Sequence, residues 1–266
     1  MKKNTIKFGN GSLINFKSFK EDEKNVARGK LRGFIDLPPS LLFFGNGSAF
    51  NVNKVNTSAF FVEGKVLNII DVGYSVFESI LNSKILEGEF DSIRIYITHV
   101  HDDHVGSLST LLHYLFYVKG ITATVVGGKE PKELLELSAK GLYSFSPVHL
   151  SIDSTLKATK VHHVENMESY GYFHPKFIYT GDISSVESLD DMIEIHTRIY
   201  NKSWRPELYV DCSANNSGVH VFYKDLEIWL KNNEQWRNSL YIMHIDNEEV
   251  LAEFAKENDI KIAETI

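Results

Sequence analysis

A single cysteine, Cys212, stands among 266 residues, so no disulfide can close within the chain. The expected setting is a reducing cytoplasm, with Cys212 as a buried thiol and no metal role. Prolines number only six, and the adjacent pair Pro38-Pro39 marks the end of a first segment, residues 1–39. Basic charge is in the minority: 28 Lys and Arg against 35 Asp and Glu leave −7. That balance argues against nucleic acid as the main partner, because phosphate contacts draw on clustered cations. No apolar run approaches the ~20 residues that span a bilayer, and Met1-Lys2-Lys3-Asn4 leads into no signal-peptide core, so a soluble, unexported protein with no membrane partner is expected. Repeats and low-complexity tracts are absent too.

What remains can bury a large core: 43% of residues are hydrophobic, enough for one domain of this length. Short β-branched or aromatic runs read as strands at Leu41–Phe44, Ala59–Glu63, Val66–Asp71, Ile93–Thr98, Thr122–Val126, Leu156–Val161, Phe177–Thr180, Leu208–Val210 and Leu240–Met243. Helical periodicity runs through Val76–Leu86, Leu108–Lys119, Lys132–Gly141, Asp191–Tyr200, Val219–Leu230 and Asn247–Asn258. Strands recurring between helices predict an α/β fold with buried sheets and helices outside. Residues 1–39 add strand-like Thr5–Phe8 and Leu13–Phe16, an extension expected to pack on the domain 40–266 or at a dimer interface.

The densest chemistry follows the run Ile93–Thr98. His99, His101, Asp103 and His104 fall within six residues, where a buried strand needs none of them. One strand-end histidine is ordinarily a surface or capped side chain. Four nitrogen and oxygen donors together suit a borderline divalent cation, with His99 and His101 converging on one ion and Asp103 and His104 turned toward a second.

The segment Ile97-Thr98-His99-Val100-His101-Asp102-Asp103-His104-Val105-Gly106 resembles the signature of metallo-β-lactamase-fold hydrolases. That resemblance implies an αββα sandwich and three later ligands: a His, an Asp bridging both ions, and a final His. Gly181-Asp182 after the apolar run Lys176–Thr180 matches the Asp step, and His244 after Leu240–Met243 matches the last His. The middle His is His162 or His163, since neighbours on a strand face opposite ways; Val161 and the stretch Ser169-Tyr170-Gly171-Tyr172 favour His163. The resemblance thus assigns His99, His101 and His163 to one ion, Asp103, His104 and His244 to the other, and Asp182 between them. Zn²⁺ is the expected metal, with Mn²⁺ as its substitute.

Within that fold, Gly45-Asn46-Gly47-Ser48 and Asp71-Val72-Gly73 resemble the opening of the RNase Z-like and cyclic-nucleotide phosphodiesterase branch. His220 lies near where that branch carries a non-ligand His that assists phosphodiester cleavage, so His220 and Asp103 are the catalytic candidates. His ligands need acceptors that fix their tautomers, and Asp71 and Asp102 are candidates. The tRNA-processing relatives carry a long arm between the middle His and the bridging Asp; only 18 residues separate His163 from Asp182 here, and no arm fits. The outline resembles viral anti-Pycsar phosphodiesterases, which implies cyclic mononucleotide substrates such as cyclic CMP and cyclic UMP, a homodimer and a host cytoplasm. An RNase Z-like tRNA 3′-end endonuclease and a lactonase-type hydrolase are the alternatives. Tyr170, Tyr172, Phe173, His174, Trp204 and Arg205 could stack on a base, although such residues are more often core or edge packing.

Overall fold

The protein is described from a computed structural model covering residues 40–140, 155–200 and 205–266, with the strands Thr5–Lys7, Leu13–Asn15 and Ser146–His149. β1 (Thr5–Lys7) and β2 (Leu13–Asn15) pair as an antiparallel hairpin. Pro38-Pro39, the rest of residues 1–39, and Trp204 lie outside the described residues.

Two six-stranded sheets form the body. The first comprises β3 (Leu42–Gly45), β4 (Ser58–Glu63), β5 (Val66–Ile70), β6 (Ser92–Tyr96), β7 (Thr124–Gly127) and β8 (Ser146–His149), in that order. The second comprises β9 (Lys157–Val161), β10 (Ser169–His174), β11 (Phe177–Tyr179), β12 (Glu207–Asp211), β13 (Leu240–Met243) and β14 (Lys261–Ile262). Each begins with an antiparallel meander and continues with parallel strands. The two halves therefore share a pairing plan that leaves no repeat in the sequence.

Alternation along the strands explains the layering. On β12, Leu208 and Val210 face outward while Tyr209 faces the other sheet; on β13, Leu240 and Ile242 alternate in the same way with Tyr241 and Met243. The space between the sheets is rich in tyrosine, with Tyr96 edge-on to Tyr172 at 5.5 Å and Tyr209 stacked on Tyr241 at 4.9 Å. Each such pair adds about 0.5–1.5 kcal/mol beyond its buried area. Outside the first sheet lie α1 (Val76–Ser83), the short α2 (Asp102–Val105), α3 (Leu108–Tyr117) and α4 (Lys129–Ser138); outside the second lie α5 (Val186–Tyr200), α6 (Tyr223–Asn232) and α7 (Glu248–Glu257). The architecture is the αββα sandwich.

Three departures from the sequence reading have local causes. The helix expected over Val76–Leu86 breaks at Lys84, whose φ is 58°, and resumes as a 3-10 turn at Ile85–Glu87. The helix expected from Val219 starts only at Tyr223, because the Val221 carbonyl and Phe222 pair with Ser213. His220 consequently sits in the loop before α6. The third is β10, which is buried on both faces, so its residues lack the alternation that marks a half-exposed strand.

Candidate metal centre

Five of the parallel strands, drawn from both sheets, deliver a polar side chain to one cluster at or just past the carboxyl end of the strand. Asp71 follows β5, His99 follows β6, Asp182 follows β11, Asp211 closes β12 and His244 follows β13. Open α/β sheets bind their ligands at this carboxyl edge. Two of these residues have left-handed backbone, Asp71 at φ 61° and His244 at φ 62°, a conformation that costs free energy in a non-glycine residue and is found where the surroundings enforce it. Gly181, at φ 62°, has no such cost, and a Cβ there would come within 2.7 Å of the Tyr170 carbonyl. Glycine before Asp182 is thus a steric requirement.

All eight residues singled out from the sequence meet here. His99 and His163 are buried and His101 is half-buried, and the three bring one nitrogen each together: His99 Nε2 and His163 Nε2 lie 3.0 and 3.3 Å from His101 Nδ1. Beside them Asp103, His104, Asp182 and His244 form a second, fully buried group. Asp103 Oδ2 is 3.1 Å from His244 Nε2 and 3.4 Å from His104 Nε2. Asp182 Oδ2 joins the groups: it is 3.4 Å from both His104 Nε2 and His244 Nε2, 3.8 Å from His163 Nε2 and 3.9 Å from His99 Nε2. His162, the alternative to His163, is exposed, with Nδ1 2.8 Å from Ser184 Oγ.

Hydrogen bonds behind the cluster fix the tautomers. The Val219 carbonyl can only accept, so His163 Nδ1–H donates to it at 2.7 Å, leaving Nε2 with its lone pair aimed inward. His104 Nδ1 faces Asp71 Oδ2 at 2.9 Å, and Asp71 is itself held by the Thr98 amide and hydroxyl, each at 2.8 Å. Asp102, the other expected acceptor, is an exposed residue.

The sequence reading missed Asp211. It is fully buried, accepts from His220 Nδ1 at 2.9 Å and lies 3.6 Å from His244 Nδ1. Its only signal in the sequence was a carboxylate closing an apolar strand at the height of Asp182. Asp246 was missed as well: its carboxylate accepts from Ser213 Oγ, the Ala214 amide and Asn215 Nδ2 at 2.7–2.9 Å. It anchors the start of the loop that carries the Val219 carbonyl and His220. The aromatics Tyr170, Tyr172, Phe173 and His174 are buried in β10, in the packing role.

Charge separates the two groups. Burial, together with neighbouring His104, holds His99 well below the usual imidazole range, and burial likewise lowers His101 and His163. Burial also opposes charge on His104 and His244, but Asp182 and the other carboxylates around them override it and raise both. For Asp103 and Asp182 burial favours the neutral acid, yet the imidazoles hold both carboxyls below their usual range. His220 is pushed up to about 9: burial opposes its charge and Asp211 outweighs burial.

Divalent cations suit this donor set. Three buried carboxylates, Asp103, Asp182 and Asp211, share the clusters, with buried Asp71 behind His104, and such a gathering is tolerated only with compensating positive charge. His104 Nε2, His244 Nδ1 and Asp211 Oδ1 are buried without hydrogen-bond partners, and His104 Nε2 points among the Asp103 and Asp182 oxygens. Imidazole nitrogen with carboxylate oxygen is the chemistry of Zn²⁺ and its neighbours in the first transition row.

Residues 39–136 match a family model described as anti-Pycsar protein Apyc1. An anti-Pycsar protein Apyc1 of Bacillus phage vB_BveM-Goe7 is 26% identical over 233 residues, covering 77% of this chain and 88% of the phage protein. A ribonuclease Z of Staphylococcus haemolyticus is 27% identical over 139 residues, 51% of this chain and 42% of that enzyme. Among solved structures, a diphosphatase of the PhnP family superposes with a TM-score of 0.64 at 18% identity, covering 85% of this chain and 94% of that one. The metallo-β-lactamase fold protein YhfI of Bacillus subtilis gives 0.63 at 17% identity over 85% and 96%. The chain has the metallo-β-lactamase fold, and within it resembles the anti-Pycsar Apyc1 proteins of Bacillus phages.

Proposed function

We propose that this protein is a metal-dependent phosphodiesterase that opens cyclic mononucleotides of the cyclic CMP and cyclic UMP type to linear nucleoside monophosphates. The observation that carries the reading is the position of Asp182 Oδ2, shared by imidazoles of two donor groups and 3.7 Å from His220 Nδ1. In this reading His99, His101 and His163 hold one cation, Asp103, His104 and His244 the other, and Asp182 serves both. Bound there, two divalent cations supply an ionised water at neutral pH and neutralise the phosphodiester oxygens.

The chain's own residues do the rest. His220 gives Nδ1–H to Asp211, so its charged form keeps Nε2–H for the leaving ribose oxygen, which must gain a proton as the P–O bond breaks. Asp211 keeps that proton available at neutral pH by stabilising the imidazolium. Thr98 and Asp71 hold the His104 ring, and the Val219 carbonyl holds the His163 ring, so the donors meet substrate already oriented.

Two further observations favour a small substrate. Between His163 and Asp182 the chain forms only β10, β11 and their turns, leaving no arm to grip a large RNA. The body is acidic, with the whole chain at −7. Relatives named anti-Pycsar proteins support the cyclic substrate class. The same reading has the protein working as a homodimer in a host cytoplasm, with residues 1–39 packed on the domain or between subunits. The described residues include no helix long and apolar enough to cross a membrane. Zinc- or manganese-loaded protein should convert cyclic pyrimidine mononucleotides to single linear products, resolved chromatographically. A metal-loaded protein inert on every cyclic mononucleotide but cleaving precursor tRNA or a lactone would replace this reading with one of the alternatives.

A further inference from the structure

Among the described residues, the two most exposed large apolar side chains stand two positions apart: Phe50 is 94% exposed and Val52 91%. Scattered exposed apolar residues are ordinary, but these cap a turn that is tied down on several sides. The Ser48 amide and Asn51 Nδ2 both donate to the Ile245 carbonyl, at 3.1 and 2.9 Å, and Lys54 pairs with Glu248 at 3.0 Å. On the other flank the Tyr74 hydroxyl donates to the Ala49 carbonyl, while the Tyr74 amide donates to the Asp102 carbonyl at 3.0 Å. Ile245 follows His244 and Asp102 precedes Asp103, so the turn is tied to the chain neighbours of two residues of the metal centre. Through Asn51 and Ile245, the Phe50 Cα lies no more than roughly 17 Å from the His244 Cα by covalent and hydrogen-bond lengths.

The metal centre is made of imidazoles and carboxylates whose inward atoms are drawn together as a donor set for cations and a phosphodiester, not as a flat apolar face for a nucleobase. The aromatics of β10 are buried, and Tyr117, the other strongly exposed ring among the described residues, ends α3 in the outer helix layer. Phe50 and half-exposed Tyr74 remain beside the carboxyl edge. We propose that the Phe50 turn is the base-binding element of this site, its ring stacking on the nucleobase of a substrate whose phosphate lies at the metal centre. The proposal rests on the phosphodiesterase reading above. A phenyl face stacks on any base, so the turn contributes affinity for a base without hydrogen-bond readout of its identity.

The test compares wild type with Phe50→Ala and Phe50→Trp on cyclic CMP and on the abasic ribose 3′,5′-cyclic phosphate. In wild type the nucleotide should have the lower KM. Phe50→Ala should shrink that advantage roughly tenfold or more while kcat is little changed, the signature of binding shared by ground and transition states, and Phe50→Trp should restore it. At 94% exposure the ring supports no core, so the variants should fold. Wild type active on cyclic CMP with an unchanged KM advantage in Phe50→Ala overturns the proposal alone. So does a Phe50→Ala variant that becomes monomeric with the advantage intact, which would make the turn a contact between copies. Wild type that cleaves neither substrate overturns the phosphodiesterase reading and this proposal together.

Discussion

The two donor groups of the metal centre differ in charge more than in shape. His99, His101 and His163 are imidazoles that burial holds below their usual range, His163 with its Nε2 lone pair turned inward, and His101 opens the group to solvent. Asp103, His104, Asp182 and His244 are closed in, and without a cation their carboxylates keep protons on the imidazoles. A cation entering the first group displaces little. One entering the second must displace the protons that stand in for it. Neighbouring sites on one scaffold can thus have different pH dependences although both are built from histidine and aspartate.

The largest effect should come from removing what the groups share. Asp182→Ala deletes the oxygen near five imidazoles, and bound metal should fall below two equivalents with activity down by roughly 10³-fold or more. Elemental analysis beside turnover checks this; two tightly held metals and near-normal turnover would remove Asp182 from the centre. His220→Ala should follow, at roughly 10²–10⁴-fold in kcat on a ribose leaving group but far less on p-nitrophenolate, which needs no proton. Because His220 is raised to about 9, its proton is present below that pH and lost above it. Activity should therefore decline on the alkaline side, at a lower pH once cations sit beside Asp182, and that limb should vanish in His220→Ala.

The electrostatic contrast predicts a titration. Surrounding carboxylates raise His104 and His244, so both keep their protons to higher pH than an ordinary imidazole, and metal uptake there should release protons and weaken as pH falls. The first group, whose imidazoles burial lowers, should release fewer. Calorimetry in buffers of different ionisation heat separates the two events. Equal proton release at both steps would break the comparison. Asp71→Asn sharpens it further: Asp71 backs His104 of the second group at 2.9 Å, so metal affinity should drop about 10–100-fold in that group.

Much of this was legible in the chain because it is local. His99, His101, Asp103 and His104 sit in one short run, and alternation on β6, β12 and β13 marks which residues face helices and which face the other sheet. Asp182 and His244 were found because the resemblance implies an Asp and a final His, and each stands just past an apolar strand. Asp211 also stands just past an apolar run, but neither it nor Asp246 was singled out, because their meaning depends on which strands lie side by side. The β11–β12–β13 order puts Asp211 between Asp182 and His244, and no spacing in the sequence encodes that order. β10 hid for the complementary reason: a strand buried on both faces has no period to detect.

The smallest expected effect tests the register of β9. Beyond Val161 the chain leaves the ladder, and adjacent histidines take opposite sides: His163 reaches the Val219 carbonyl and His101, while His162 turns outward to Ser184. A slip of one residue would exchange them. His163→Ala should therefore lose metal from the first group. His162→Ala gives up one exposed contact and should change stability by about 0.5 kcal/mol or less with metal content and turnover intact. The measurement is paired: metal stoichiometry and thermal midpoint for both variants. If His162→Ala were the one to lose metal, the register would be wrong by one, Val161 would move with it to the opposite face, and the Val219 carbonyl would be holding His162 in place of His163.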